Sequence, residues 1–204
     1  MIYSDESRIP GDLRSMVERE LQPAERIIWM EQPMPGRYAR SMWPIVLFGV
    51  PWTAFAVFWT VGAGIGTMRS NAPGIFSVFP LFGLPFVLIG IGMLSSPWWA
   101  RRSARRSVYV ITDRRAIIFR SGWRGAMNVR SFEPAHLTDL QRKQYQDGSG
   151  DLILARDYRR DSDGDRMTTN VGFIAVRDAK AVEEMVRALS RRPTPSPQGG
   201  ASAP

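Results

Sequence analysis

The sequence predicts a two-helix membrane hairpin joined to a small, mostly β domain that a C-terminal helix closes. Three observations lead to this fold class. Two stretches without any charge, Ser41 to Met68 and Ser70 to Ala100, are separated by Arg69 alone. Short runs of β-branched and aromatic residues follow, each bounded by turn-forming residues. A last segment then repeats apolar residues at helical spacing before a polar tail.

The two uncharged stretches predict transmembrane helices. About 20 apolar residues in a helix cross a hydrocarbon core of about 30 Å, so we place the spans at Trp43 to Val61 and Ile75 to Leu94, within a hairpin domain of residues 41–100. Two helices buried in a soluble core are disfavoured, because 204 residues include little other material to cover them. Prolines inside the stretches predict kinks, since membrane helices satisfy freed carbonyls locally. They are Pro44, Pro51, Pro80 and Pro85.

Basic residues flank the two predicted spans unequally. Arg37 and Arg40 precede the first span, four arginines follow the second at residues 101–106, and only Arg69 lies between the spans. Because basic loops stay in the cytoplasm, we expect a multi-pass protein of the cell (inner or plasma) membrane with both termini cytoplasmic. The polar, mixed-charge start of the chain does not resemble a secretory signal, so residues 1–40 are expected to be a cytoplasmic segment.

The β domain is predicted at residues 101–190, on the cytoplasmic side. Alternating apolar patterns and intervening turns predict six short strands: residues 107–112, 116–120, 127–132, 137–145, 152–156 and 170–176. A helix follows, with Asp178 as N-cap and an apolar stripe of Val182, Met185, Val186 and Leu189. Residues 191–204 lack apolar content and are expected to be a disordered tail.

Three pieces of this chain resemble one known family. They are VYVITDRRAIIF at Val108 to Phe119, LQPAERIIW at Leu21 to Trp29, and GFIAVRDAKAVEEMV at Gly172 to Val186. In this order around a hydrophobic hairpin, they resemble bacterial pleckstrin-homology-like membrane proteins. The resemblance implies a pleckstrin-homology-like barrel on the cytoplasmic face and supplies no catalytic or ligand residues. The polar insert 157–168 departs from the compact form of that family.

The segment before the first span has its own apolar pattern. Leu13, Met16, Val17 and Leu21 share one face of a predicted helix at residues 12–21, and an apolar run, Ile27 to Met30, follows a break at Pro23. Two arrangements fit this pattern. The segment either packs on the β domain or lies on the membrane.

The candidate binding residues are arginines near the second span. Residues 101–130 contain nine arginines and one acidic residue, Asp113. Anionic lipid headgroups attract such juxtamembrane charge, although the same arginines also serve simply to set topology. Nucleic-acid binding is disfavoured because topology already accounts for the basic excess. The candidate headgroup contacts are Arg101, Arg102, Arg105, Arg106, Arg114, Arg115 and Arg124.

Catalytic and metal-binding patterns are missing from the sequence. There is no cysteine, and His136 is the only histidine, so thiolate sites and histidine-based triads lack their residues. Residues 161–165 are rich in aspartate, but Arg166 and Gly172 stand where a calcium loop needs glycine and glutamate. We therefore predict a non-enzymatic protein without cofactor or metal. Its β domain is expected to bind a protein or to self-assemble, with recognition of membrane lipids as the alternative.

Overall fold

The computed structural model describes residues 9–69, 81–122, 126–137, 139–160 and 166–191. The chain divides into two compact units. The helical unit comprises Pro35–Arg102, and the sheet unit combines Met1–Met34 with Ser103–Pro204. The helical unit is therefore an insertion within the sequence of the sheet unit. Residues 9–34, which we had assigned to a separate N-terminal segment, belong to the sheet unit.

The helical unit contains helices α2 (Pro35–Arg40), α3 (Trp43–Arg69) and α4 (Leu84–Arg105), the last beginning inside this unit and ending in the other. Both α3 and α4 are long and apolar enough to cross a membrane, and only 11% of the most apolar stretch of each is buried. The two predicted spans are thus present as helices, with shifted ends. Helix α3 continues eight residues past Val61, and residues 75–80 of the second predicted span lie outside the described residues.

Small residues let α3 and α4 approach each other in antiparallel order. A Cβ atom added at Gly49 would lie 3.0 Å from the Met93 Cβ, and one added at Gly90 would collide with Thr53. The close contact therefore involves Gly90, and also Gly83, where an added Cβ atom would collide with Thr60. By contrast, a Cβ atom added at Gly62, Gly66 or Gly92 would meet no atom of the described residues within 4 Å.

The prolines of the two helices are accommodated in different ways. Pro44 and Pro85 are the second residues of α3 and α4, where no intrahelical N–H bond is needed. Pro51 and Pro97 lie inside the helices. Pro97 cannot donate to the Met93 carbonyl, and the Ser96 hydroxyl donates to that carbonyl instead, at 2.7 Å. Pro80 lies outside the described part of the chain.

The first sheet of the sheet unit has the order β1-β2-β3-β4 and is antiparallel. Its strands are β1 (Ile27–Glu31), β2 (Val108–Thr112), β3 (Ala116–Ser121) and β4 (Met127–Phe132). Strand β1 was not predicted. The strand that pairs with it, β2, begins only after the whole helical unit, so the sequence around β1 shows no neighbouring strand. Register pairs such as Glu31 with Tyr109 and Met30 with Val110 join the two sides of the insertion.

The second sheet has the order β5-β6-β7 and is also antiparallel. Its strands are β5 (Gln141–Gln144), β6 (Gly150–Arg160) and β7 (Arg166–Val176), and helix α5 (Ala179–Ser190) follows. Asp178 caps α5 as predicted, its Oδ1 accepting from the Ala181 N–H at 3.0 Å. Val182, Val186 and Leu189 are buried, and Met185 is partly buried against the same core, which confirms the predicted stripe.

Two apolar cores lie on opposite faces of the first sheet. One core joins both sheets and α5 through the aromatic rings of Trp29, Tyr109 and Phe173, with ring centroids 4.9 Å apart for the last two. The other lies under helix α1 (Gly11–Glu20), whose Leu13 and Val17 are buried against the opposite face. Of the two arrangements open for the N-terminal segment, packing on the β domain is the one observed.

Two strand predictions need correction. Residues 137–145 were predicted as one strand, but Pro134–His136 form a 3-10 turn, Leu137 is buried in the core, and only Gln141–Gln144 are extended. The polar insert 157–168 is largely a continuation of the β6–β7 hairpin on both sides of residues 161–165, which lie outside the described residues. Among the described strands, no ladder joins the two sheets into a closed barrel.

Candidate membrane interface

Four of the predicted headgroup contacts lie where α4 ends. Arg101, Arg102 and Arg105 occupy its last two turns, and Arg106 follows directly; all four side chains are exposed. The Arg102 guanidinium lies 5.9 Å from the centroid of the Trp98 ring, and Trp98 packs edge-on against Trp99. Cationic and indole side chains adjacent on one helix end match the composition of a membrane–water interface.

Arg115 has a different position from the α4 arginines. Its guanidinium forms two hydrogen bonds to the Glu25 carboxylate, at 2.9 and 3.1 Å, and also donates to the Glu20 carbonyl and the Ser131 hydroxyl. The Glu25 side chain is fully buried, and that of Arg115 is only 13% exposed. Arg115 therefore joins the N-terminal segment to β3, and four of its five N–H donors are used inside the fold.

The turn between β2 and β3 organises this ion pair. The Thr112 hydroxyl lies 2.7 Å from a Glu25 oxygen and accepts the backbone N–H groups of Arg114 and Arg115. Burial disfavours the Glu25 carboxylate, but the donors from Arg115, Thr112 and the Gln22 backbone outweigh burial and lower the pKa of Glu25 below its usual value. The same contact raises the pKa of Arg115.

The two remaining predicted headgroup contacts are Arg114 and Arg124. Arg114 is exposed, and its guanidinium donates to the Gln22 side chain at 3.3 Å. Arg124 lies outside the described residues. The structure therefore places four arginines together at the end of α4, puts Arg114 at a separate turn, and uses Arg115 inside the fold.

A cluster of polar contacts within the sheet unit lies where the chain leaves that unit after Met34 and re-enters it at Ser103. The Gln32 side chain donates to the Arg105 carbonyl at 2.8 Å. This hydrogen bond connects the segment after β1 with the segment before β2. The Met34 N–H donates to the Ala175 carbonyl at 2.9 Å, and Glu31 pairs with Arg177 at 2.6 Å. We call these contacts the junction. Sequence reasoning missed it because its residues are far apart in the chain.

The junction contains one strained backbone position, Ala175, and one partly buried acid, Glu31. Ala175 adopts a positive φ of 59°, rare for a residue with a Cβ, within an irregular stretch of the β6–β7 ladder. The Asp151 carboxylate accepts its N–H at 2.8 Å and holds this conformation. Burial raises the pKa of Glu31, and the nearby Arg177 offsets this only in part.

The described residues contain no group of three histidine, aspartate or glutamate side chains that suits a metal ion. His136 is exposed at the end of the 3-10 turn. In the same part of the chain, every buried side-chain nitrogen and oxygen has a hydrogen-bond partner. The aspartate-rich stretch 161–165 lies outside it.

Comparisons with known proteins give no further assignment: no family model, curated protein or solved structure matches this chain. Its function is therefore argued from its own residues.

Proposed function

We propose that this chain is an integral membrane protein in which α3 and α4 cross the bilayer as a hairpin and the sheet unit is a cytoplasmic, pleckstrin-homology-like domain. This domain serves protein interaction or self-assembly at the membrane. One observation is the main support for the membrane placement. Two long apolar helices, mostly exposed, are inserted between β1 and β2, adjacent strands of one sheet. A chain that leaves a sheet and then re-enters the same sheet has to return to the side of the membrane from which it left.

The exposed residues of the helices support burial in lipid. Leu47 and Phe58 are each 74% exposed, and Leu88 is 67% exposed. Water-exposed apolar surface on this scale is not typical of a soluble monomer, whereas lipid hydrocarbon covers it without cost. Arg37 and Arg40, and the four arginines at residues 101–106, border the ends that lead to the sheet unit, and this asymmetry supports a cytoplasmic location for that unit.

The strand order supports the pleckstrin-homology-like assignment. The observation behind it is an antiparallel sheet of four strands, an antiparallel sheet of three strands and a C-terminal helix that packs on the core between them. Strand β1 lies before the membrane hairpin, so the domain is assembled from both sides of it.

The end strands of the two sheets are the surfaces we assign to protein contacts. Strand β4 is at the end of the first sheet, and its residues from Asn128 to Ser131 are exposed, with Val129 the most apolar of them. Strand β5 is at the end of the second sheet and is exposed along its length. End strands present backbone donors and acceptors to a partner strand, which is a common mode of protein recognition.

Site-specific cross-linking tests this assignment in the full-length protein. A photoreactive amino acid at Val129 is expected to give an adduct with the partner, whereas one at Lys180, exposed on α5, is the matched control. Co-expression of two differently tagged copies separates self-assembly from binding of another protein. Equal, weak adduct formation at both positions would count against β4 as the contact surface.

Anionic lipid recognition is the second candidate, favoured by the exposed arginines at residues 101–106. Each basic residue near an anionic surface contributes about 1 kcal/mol to the attraction. We expect the full-length protein to retain more phosphatidylglycerol than phosphatidylcholine in native mass spectrometry, and Arg105→Ala/Arg106→Ala to reduce that preference. Lys180→Ala/Arg191→Ala removes the same charge elsewhere and is the control. Equal retention of both lipids by the unmodified protein would exclude this function.

A further inference from the structure

An apolar groove lies between α3 and the start of α4, entirely within the helical unit. Its volume is about 370 Å³, within the range of about 300 to 1,000 Å³ typical of small-molecule sites. Every lining residue is aromatic, alanine or glycine, so the groove suits a ligand without polar groups. The lining residues are Trp52, Phe55, Ala56, Trp59, Phe82, Gly83 and Phe86.

The groove is held by contacts between its own walls. The Trp52 indole donates to the Phe86 carbonyl at 3.1 Å, which fixes one ring across the two helices. The Phe86 ring lies 6.1 Å from Trp52 and 5.6 Å from Phe82, measured between centroids. A Cβ atom added at Gly83 would collide with the Thr60 side chain, so glycine at this position allows the close approach to α3. A pre-formed groove loses little conformational freedom when it is filled.

The groove residues are unsuited to a further helix. Membrane helices pack closely where both surfaces present small residues, but the two small residues here, Ala56 and Gly83, lie among five large rings. Phe55 and Phe82 are each 66% exposed, so rings border the opening. A slender, flexible hydrocarbon chain fits between such rings, whereas the side chains of a second helix would meet them.

The position of the groove along α3 indicates which leaflet of the bilayer supplies the hydrocarbon chain. At 1.5 Å per residue, Trp52 to Trp59 lie about 14 to 24 Å from Trp43, which runs from the middle of a 30 Å core into the half further from Trp43. Arg69 lies about 39 Å from Trp43 along the same axis, at headgroup depth. Arg69 is the only charged residue between residues 41 and 100, and its sign complements a lipid phosphate.

We infer that this groove binds one acyl chain of a phospholipid from the leaflet opposite the sheet unit, with Arg69 near its phosphate. The inference rests on the proposed membrane placement. The bound lipid would fill the space between the helices near their distal ends and reinforce a contact that elsewhere depends on glycines.

Photolabelling in nanodiscs tests the site. Full-length protein is reconstituted in phosphatidylcholine with a trace of phosphatidylcholine bearing a diazirine in one acyl chain, irradiated, and analysed by residue-level mass spectrometry. Labels are expected on the groove residues well above those on Leu88, which is exposed on α4 outside the groove. Phe55→Ala/Trp59→Ala should lower groove labelling about tenfold, because the ring contacts are lost; Leu47→Ala/Phe58→Ala should leave it unchanged.

The outcomes separate this inference from the proposed function. Labels spread evenly over all lipid-exposed residues of both helices would overturn the groove site and leave the membrane placement standing. A protein that carries no labels on either helix would contradict the membrane placement itself.

Discussion

At the residue scale, the contact between Glu25 and Arg115 is the best-defined interaction in the sheet unit. The two residues are 90 positions apart, and the 68 residues of the helical unit, Pro35–Arg102, lie between them. Sequence reasoning placed Arg115 among lipid contacts because an arginine-rich stretch does not reveal which of its members has a buried acid as partner. Glu25 gave no signal of its own, since an isolated glutamate in a polar segment is normally exposed.

Glu25→Gln is expected to destabilise the sheet unit by about 3 kcal/mol, because the substitution leaves the mostly buried Arg115 without its counter-charge. Hydrogen exchange of the full-length protein, followed on peptides from β2 and β3, measures the change. Glu18→Gln is the control, since Glu18 pairs with Arg14 on the exposed face of α1. Similar exchange rates in the two variants would show that the pair does not hold the N-terminal segment in place.

The two acids with shifted pKa values, Glu25 and Glu31, predict opposite pH effects. The pKa of Glu25 is lowered from 4.5, so its contribution to stability is complete above pH 4.5 and is lost as the pH falls through the lower folded value. The pKa of Glu31 is raised from 4.5, so the folded state takes up a proton first. Stability then increases as the pH falls through the raised value toward 4.5.

Comparing the protein with Glu31→Gln checks the second effect. Between neutral pH and 4.5, the unmodified junction should exchange its amide hydrogens more slowly, relative to intrinsic rates, as the pH falls, and the variant should lack this dependence. Glu20→Gln serves as a control on an acid whose carboxylate lies outside the junction. An unchanged dependence in Glu31→Gln would assign the effect to another group.

At the scale of elements, hydrophobic length and alternation predicted the helices and most strands, but not their ends or partners. Helix α3 continues through Gly62 and Gly66 to Arg69, because glycine is tolerated in apolar helices when packing or lipid supports them. Which glycines face the other helix depends on the relative rotation of α3 and α4, and spacing alone does not determine that rotation. Gly83 and Gly90 make the contact, and Gly92 does not.

Gly90→Leu is expected to weaken the α3–α4 contact by about 2 kcal/mol, since any side chain at this position collides with Thr53. The helical circular dichroism of the detergent-solubilised protein should then be lost at a lower temperature. Gly92→Leu adds the same side chain two residues further along α4, where an added Cβ atom has nothing within 4 Å, and should behave like the unmodified protein. Equal loss of helicity in both variants would indicate a general effect of removing glycine.

At the scale of the whole molecule, the main feature is the insertion of the helical unit between two paired strands. Composition predicted a membrane part and a β part, but it assigned the residues before the first span to a separate segment. The pairing of β1 with the β part was not predicted, for a physical reason. Strands β1 and β2 pair across the whole helical unit, so their pairing is non-local. A five-residue apolar run such as β1 has the same sequence pattern whether or not it pairs with a sheet.

Removal of the insertion should leave a soluble domain. Residues 1–34 joined to 103–204 by a Gly/Ser linker of about six residues keep both β1 and α1, so the protein should fold without detergent. Residues 103–204 alone lack these elements and expose the apolar face of Val110, Ile117 and Phe119, so this fragment should aggregate. Size-exclusion chromatography and thermal unfolding distinguish the two, and equal behaviour would mean that the N-terminal segment is dispensable.

The central claim, that α3 and α4 cross the membrane and return, is tested most directly by cysteine labelling. The chain contains no cysteine, so single exposed, uncharged positions can be labelled in a silent background: Gly36→Cys, Met68→Cys and Ala188→Cys. In intact cells, an impermeant maleimide is expected to label Met68→Cys alone, and the other two only after permeabilisation. Labelling of Gly36→Cys and Ala188→Cys from opposite sides, or protection of Met68→Cys in intact cells, would contradict the account.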